Sequence, residues 1–225
     1  MESPRKRLDR DVLVTTALSL ADTEGLTAVT TRRVGQEHGV SAMALYRHFR
    51  DKDQILDAVA ERLLSEVRLP EPDDRPWDAQ LHGVLTSLLT VLRPHAAAAG
   101  LVTTRILGSP SGLAIAERTL ELLAGAGFEV EQAAEIASQC LCSMVTLVVT
   151  EPGGGRAEEA PARDDAVQAK RASLEALPAE RYPHVVAAAA ALASCASDDV
   201  YYARGVDLLV AGIRGVRTGA HTPAV

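Results

Sequence analysis

The chain has 225 residues, 47% of them hydrophobic, with three cysteines and a formal net charge of −7. That length suits one large domain or two smaller ones. No tract of about 18 apolar residues is free of charge, so no membrane span is expected. The charged opening MESPRKRLDRD has no apolar signal-peptide core, and an odd cysteine count points to reduced thiols in a cytoplasm rather than a disulfide framework. The charge is uneven: residues 1–68 balance at 11 basic and 11 acidic, whereas 69–225 carry 12 against 19. A neutral N-terminal module therefore precedes an acidic remainder, and the first can still approach a polyanion.

In chain order, the first fifty residues repeat one device. Leu8–Asp9–Leu13, Val29–Thr30–Val34 and Val40–Ser41–Leu45 each place an apolar residue before a capping residue and another four places after it, the hydrophobic staple of a helix start. Asp51 with Gln54 has capping-box spacing for a fourth, and Gly25 and Gly39 stand where left-handed terminators belong. Helices are expected near 10–24, 31–38, 42–49 and 52–67. In the first, Val12, Thr16 and Leu20 form one column and Leu13, Ala17 and Ala21 another. The second and third, joined tightly around Gly39, form a helix-turn-helix.

On a wheel at about 100° per residue, Ala42, Leu45 and Phe49 share one side of the third helix and Met43, Ala44 and Arg47 the other, with Tyr46 and His48 flanking. Leu45 and Phe49 read as core. The outward set suits a recognition helix in a major groove, where a thioether or methyl meets the thymine methyl. Tyr46, Arg47, His48 and Lys52 are placed to reach phosphates, and Thr31 and Arg32 open a helix whose backbone N–H groups favour an anion. Tyr46 also reads as a partly buried core aromatic and His48 as cover for the next helix. Arg33 and Arg50 read as solvated charges.

The run LTAVTTRRVGQEHGVSAMALYRHFRDKDQIL resembles the DNA-binding module of TetR-type regulators, with its T-x-R-x-V-G second helix, G-V-S turn, L-Y-x-H-F recognition helix and following lysine. The resemblance covers about residues 8–62. It implies contacts to double-stranded DNA at Thr31, Arg32, Ser41, Ala42, Met43, Ala44, Tyr46, Arg47, His48 and Lys52.

LPEPDDRPW at 69–77 breaks the fourth helix and marks a boundary, dividing the chain into a DNA-binding domain (1–68) and a ligand-binding and dimerisation domain (69–225). A helix over 77–92 aligns Leu81, Val84, Leu85, Leu88 and Leu92, and Pro94 ends or kinks it. A short helix at 95–100, a loop through Gly108, Pro110 and Gly112, and an amphipathic helix at 113–125 follow. Helices at 130–149 and 198–217 are apolar nearly all round, as expected of a four-helix homodimer interface in which Val210 and Ile213 take part. Between them, 151–165 is flexible by composition, and Gly153–Gly155 lacks the sequence of a phosphate loop. Cys140 and Cys142 read as small buried side chains.

The architecture expected is all-α. His82, His95, His184 and His221 are dispersed and no nucleophile–base or metal-ligand spacing is present, so neither an enzyme nor a cofactor or metal site is expected. The apolar interior of the second part is a packed core or a ligand pocket between helices. The motifs W-D-x-x-L, A-G-F-x-x-E-x-A and G-x-D-L-L-x-x-G-I resemble the tetracycline-repressor class of C-terminal domain. That implies a homodimer on a palindromic operator, released by a small inducer; the candidate pocket residues are Leu88, Leu92, Leu101, Ile106, Met144 and Val148, with Arg105 orienting the ligand. The family's metal-binding and pocket histidines have no counterpart in LVTTRILGSP or in 130–149. Glu151 resembles the family's acidic residue after that helix, but alone it holds magnesium weakly. The expected inducer is thus largely apolar and not a magnesium–tetracycline chelate. The alternative is a helical ligand-binding or protein-interaction module without operator binding.

Overall fold

The computed structural model describes residues 9–151, 160–194 and 198–218. Among these every regular element is helical: α1 (Arg10–Glu24), α2 (Thr31–Glu37), α3 (Ala42–Leu45), α4 (Lys52–Ser65), α5 (Trp77–Leu92), α6 (Ala96–Arg105), α7 (Pro110–Gly125), α8 (Val130–Val149), α9 (Ala160–Glu175), α10 (Pro183–Ala187), α11 (Ala189–Ala193) and α12 (Asp198–Thr218). Single 3-10 turns, Arg93–His95 and Ile106–Gly108, join α5 to α6 and α6 to α7.

Three of the expected caps form. Asp9 accepts the Asp11 N–H, Thr30 the Arg33 N–H at 3.0 Å, and Asp51 the Gln54 N–H at 2.9 Å. Gln54 answers with its own oxygen, which accepts the Arg50 N–H at 2.9 Å. Ser41 occupies the N-cap position of α3 but makes no capping bond. The recognition helix is also shorter than 42–49. One α-turn tightens into bonds from the His48 and Phe49 N–H groups to the Leu45 carbonyl, because Asp51 must be extended (φ −154°, ψ −177°) to cap α4. Gly25 and Gly39 take positive φ, as their terminating role requires.

Two apolar cores meet within α4. Leu13, Ala17, Ala21, Val34, Leu45, Phe49, Ile55 and Leu63 build the first. Leu64 and Val67 belong to the second, with the inner faces of α5, α7, α8 and α12. Val12, at the head of the first apolar column of α1, is exposed. Trp77 and Phe128, from two of the quoted motifs, meet edge to face with centroids 6.0 Å apart. Trp77–Gly108 and Val130–Val149 are long and apolar enough to cross a membrane by length and composition, yet both supply this core and the first is broken at Arg93–His95.

Three boundaries depart from expectation. α6 runs on to Arg105. α7 starts at Pro110, not 113, because Ser109 caps it by accepting the Gly112 N–H at 3.1 Å and proline suits the first helical position. The stretch expected to be flexible turns helical from Ala160, and residues 152–159, with Gly153–Gly155, lie outside the described residues, as do Leu8, Cys195 and His221. Helices α9 to α11 pack on one another, and only Ala189 and Ala193 are buried among their described side chains.

α12 packs on α5 and α8. A Cβ on Gly205 would lie 2.6 Å from Leu147 Cδ1, so glycine permits the close approach. Val210 and Ile213, expected between subunits, are buried inside the single chain. The face that α12 leaves open carries Leu208, Ala211, Gly212, Gly215 and Val216, and α8 leaves open Ser138, Cys142, Thr146 and Val149. A straight helix near 3.6 residues per turn has two such faces, and hydrophobicity alone does not say which turns inward. Cys140 is buried as expected, whereas Cys142 is exposed.

Candidate DNA interface and ligand cavity

The end of α2, the turn and α3 are held together at Gly35. A Cβ there would lie 3.0 Å from the Val40 carbonyl oxygen and 3.3 Å from Leu45 Cδ1, and the Gly35 carbonyl accepts the Val40 N–H at 3.0 Å. A tie to α1 comes from His38, whose Nε2 lies 2.8 Å from Thr16 Oγ1. Since the Thr16 hydroxyl donates to the Val12 carbonyl, the His38 nitrogen is the donor of this pair. Neither Gly35 nor His38 was singled out from sequence; the T-x-R-x-V-G pattern carried the signal for the glycine.

With Leu45 and Phe49 buried at 0% and 1% exposure, Met43 and Tyr46 stand out at 73% and 52%. Arg32, Ser41 and Arg47 are exposed beside them, while Thr31, Ala42, Ala44 and His48 are half-buried on the same surface. Among the described residues neither Arg32 nor Arg47 makes an ion pair, so both guanidinium groups remain available to phosphate. Arg33 is different: it pairs with Glu24 and Glu37, binding the end of α1 to α2. The Glu24 carboxyl is accordingly held below its usual range, chiefly by the Arg33 hydrogen bond. Lys52 donates to the Leu26 carbonyl at 2.9 Å, leaving two of its three protons for other acceptors. Arg10 lies over the Phe49 ring at 5.1 Å.

A cavity of about 300 Å³ lies between α5, α6, α7 and α8. Val84, Leu85, Leu88, Ile115 and Thr119 are its buried floor, and the exposed Thr104, Leu107, Ala134 and Ser138 lie at its rim. Of the seven residues expected to bind ligand, Leu88 and Ile106 line it. Leu92, Met144 and Val148 are sealed in the larger core and Leu101 packs in the N-terminal one. Arg105 turns away to α4, its Nε 2.8 Å from Asp57 and its Nη2 3.6 Å from Asp53. The buried stripe was readable as a period; the place where packing leaves a gap was not. Glu151 lies not at the cavity but against the Tyr202 phenol, whose pKa is pushed up to about 12, first by burial and then by that carboxylate. Burial alone pushes the Cys140 thiol, on the cavity wall, up to about 12.

Three polar ties join the layers: Arg105 to Asp57, the Ser111 hydroxyl to Glu61 at 2.7 Å, and His95 Nδ1 to Asp22 at 2.8 Å. His82 faces Asp207 and His184 is exposed. Among the described residues no cluster of three His, Cys, Asp or Glu side chains has metal-binding geometry.

An exposed, basic helix-turn-helix joined to a helical bundle with its own cavity is the architecture of a DNA-binding transcriptional regulator. Residues 13–59 match the bacterial regulatory proteins of the tetR family, and residues 69–217 match the tetracyclin repressor-like C-terminal domain. The chain belongs to the TetR family of transcriptional regulators. It is 30% identical over 166 residues to the Escherichia coli tetracycline repressor protein class A from transposon 1721, covering 69% of this chain and 76% of that one. An HTH-type transcriptional regulator of Saccharopolyspora erythraea is 34% identical over 121 residues, 54% of this chain, which spans about half of that protein's length (51%). The Streptomyces coelicolor TetR family protein ActR, solved in complex with actinorhodin, superposes with a TM-score of 0.76 at 28% identity, over 94% of this chain and 99% of ActR.

Proposed function

We propose that this protein is a cytoplasmic, non-enzymatic repressor that binds a palindromic operator as a homodimer and leaves it when a small, largely apolar ligand fills the cavity. One observation carries the reading: the cavity-lining turn Ile106–Gly108 is tied on both sides to α4, by Arg105 to Asp57 before it and by Ser111 to Glu61 after it. α4 begins at Lys52, on the DNA-facing surface. A ligand that displaces Ile106 or Leu107 therefore pulls on the helix that positions the recognition helix, and gains its leverage from binding the two positions of α4 unequally.

In this reading residues 1–68 are the DNA-binding domain and 69–225 the ligand-binding and dimerisation domain. Met43, Ala44 and Ala42 meet base edges. Thr31, Arg32, Ser41, Tyr46, Arg47, His48 and Lys52 hold phosphates. The open faces of α8 and α12 pair with their copies, and the small side chains on α12 permit a close crossing. Helices α9 to α11, which bury almost nothing within the chain, need a second surface to be stable. Dimerisation sets the recognition helices one helical turn apart, about 34 Å, and the ligand alters that spacing. ActR, bound to actinorhodin in its solved structure, is a precedent for a family member that takes an organic ligand.

The test is selection of operator duplexes from a random pool by the full chain, followed by fluorescence anisotropy with a panel of apolar multi-ring compounds and with magnesium–tetracycline. A palindromic consensus, lost on adding an uncharged apolar compound, is the expected result. Tight magnesium-dependent tetracycline binding would refute the ligand class. Failure to enrich any duplex would leave a ligand-binding module that does not recognise an operator.

A further inference from the structure

The cavity has an unusual polar inventory. Among the described residues no charged side chain lines it, and Arg105, between the lining Thr104 and Ile106, is committed to Asp57 and Asp53. A charged ligand would be desolvated there without a partner. The three threonine hydroxyls that line the cavity are also one-sided, and the fourth lining hydroxyl, Ser138, stands at the exposed rim. Thr119 donates to the Ile115 carbonyl at 2.9 Å and Thr103 to the Gly100 carbonyl at 2.8 Å. Thr104 donates to the Leu101 carbonyl at 3.3 Å and accepts from Arg105. A hydroxyl has one proton and two lone pairs. Once the proton is given to the helix's own backbone, only acceptor capacity remains for a guest. Thr119 is 6% exposed, on the floor of the cavity.

We infer that the cavity selects an uncharged ligand that carries a hydrogen-bond donor, a phenolic or alcoholic hydroxyl or an N–H, and sets it on the Thr119 oxygen. This rests on the reading of the cavity as the ligand site. At the floor, a guest offering only carbonyl or ether oxygens sets an acceptor against the Thr119 acceptor. The volume of about 300 Å³ is at the lower end for small-molecule sites and equals on the order of ten water volumes, which suits a body of two or three rings.

The experiment titrates the full-length protein with 2-naphthol, 2-methoxynaphthalene and 2-naphthoate at neutral pH, by calorimetry. Burial alone favours the methyl ether, which has more apolar surface. A preference for the naphthol by about tenfold, the worth of one satisfied hydrogen bond, is therefore diagnostic, and naphthoate is expected to bind weakest. Thr119→Val, nearly isosteric, collapses the ratio between naphthol and its ether, and Thr119→Ser restores it; thermal melts check that both variants fold. The inference is overturned if the ether binds as tightly as the naphthol, if naphthoate binds best, or if Thr119→Val keeps the preference. If none of the three compounds binds, the reading of the cavity as a ligand site fails and the inference with it.

Discussion

Gly112 sits directly under the backbone of Ile106: a Cβ at Gly112 would overlap the Ile106 carbonyl oxygen and lie 2.8 Å from the Ser109 hydroxyl. The turn that lines the cavity thus rests on the first turn of α7 with no room between them, and the obstacle is backbone, which cannot rotate away. Gly112→Ala is expected to cost about 1–3 kcal/mol through overpacking and to disturb the Ser109 cap. Urea denaturation of the variant checks this; an unchanged midpoint would mean that the turn moves aside freely.

The outward face of α3 makes a separable prediction. Tyr46→Ala and Lys52→Ala are expected to weaken binding to every operator, whereas Met43→Ala shifts base preference by no more than about 1–3 kcal/mol. Lys52→Ala also removes the bond to the Leu26 carbonyl, so its melt is expected to fall slightly, unlike that of Tyr46→Ala. Anisotropy on the selected operator and its single-base variants, with helicity followed by circular dichroism, separates the effects. Three unaltered affinities would remove this surface from DNA recognition.

The two faces of α12 predict opposite outcomes. Ile213 is buried in the chain's own core and Leu208 is 68% exposed. Ile213→Asp buries an unpaired carboxyl group, at a cost of several kcal/mol, and is expected to unfold the protein. Leu208→Asp should keep its helicity yet sediment as a monomer. A dimeric Leu208→Asp protein would locate the subunit contact elsewhere.

What was readable in the sequence follows from how local each determinant is. Asp9, Thr30 and Asp51 announce helix starts through their own side chains, and Leu45 and Phe49 separate from Met43 and Tyr46 by angle alone, so the caps and the buried side of the N-terminal module could be drawn residue by residue. Ser41 kept the right position without the bond, since the helix behind it is only one turn long. Beyond residue 69 the determinants are tertiary. Gly112 looked like a loop glycine because the Ile106 carbonyl that forbids its side chain was invisible. Arg105 looked like a pocket residue because nothing in the sequence shows that Asp57, 48 residues earlier, and Asp53 face it. The helix at Ala160–Glu175 was masked by the glycine-rich run before it, although most of its residues are good helix formers.

Alkaline pH offers a test of the interior. In the folded chain the Cys140 thiol and the Tyr202 phenol are both pushed up to about 12, from ordinary values of 9.0 and 10.0. Both groups are neutral when protonated, so the folded state holds its protons more tightly than the unfolded one. Their contribution is complete below about pH 9 and is lost as pH rises from there through 12. The denaturation midpoint is expected to fall over that window. In the double variant Cys140→Ala, Tyr202→Phe the fall should be shallower, whatever its starting stability. Equal slopes in the two proteins would show that neither group is held neutral by burial.

The last prediction concerns coupling. Arg105 and Ser111 flank the cavity-lining turn and both hold α4, but neither lines the cavity or the DNA face. If the ligand acts on DNA through these ties, removing both should leave each binding reaction nearly intact and uncouple them. The double variant Arg105→Ala, Ser111→Ala is thus expected to bind the selected operator, and to bind an apolar ligand, with close to wild-type affinity. The ligand-induced loss of operator affinity should shrink, and by reciprocity so should the operator-induced loss of ligand affinity. Because a coupling free energy is typically about 1–3 kcal/mol, the wild-type effect to be erased is roughly 5–150-fold and well within reach of anisotropy. The mirror variant Asp53→Ala, Asp57→Ala, Glu61→Ala removes the same ties from the α4 side and should behave alike, which guards against a private effect of losing the half-buried guanidinium. Retention of the full ligand effect in both variants would place the route elsewhere; the polar contact of His95 with Asp22 would then be the next to cut. Loss of operator binding in both, without any ligand, would mean instead that the ties set the resting position of α4.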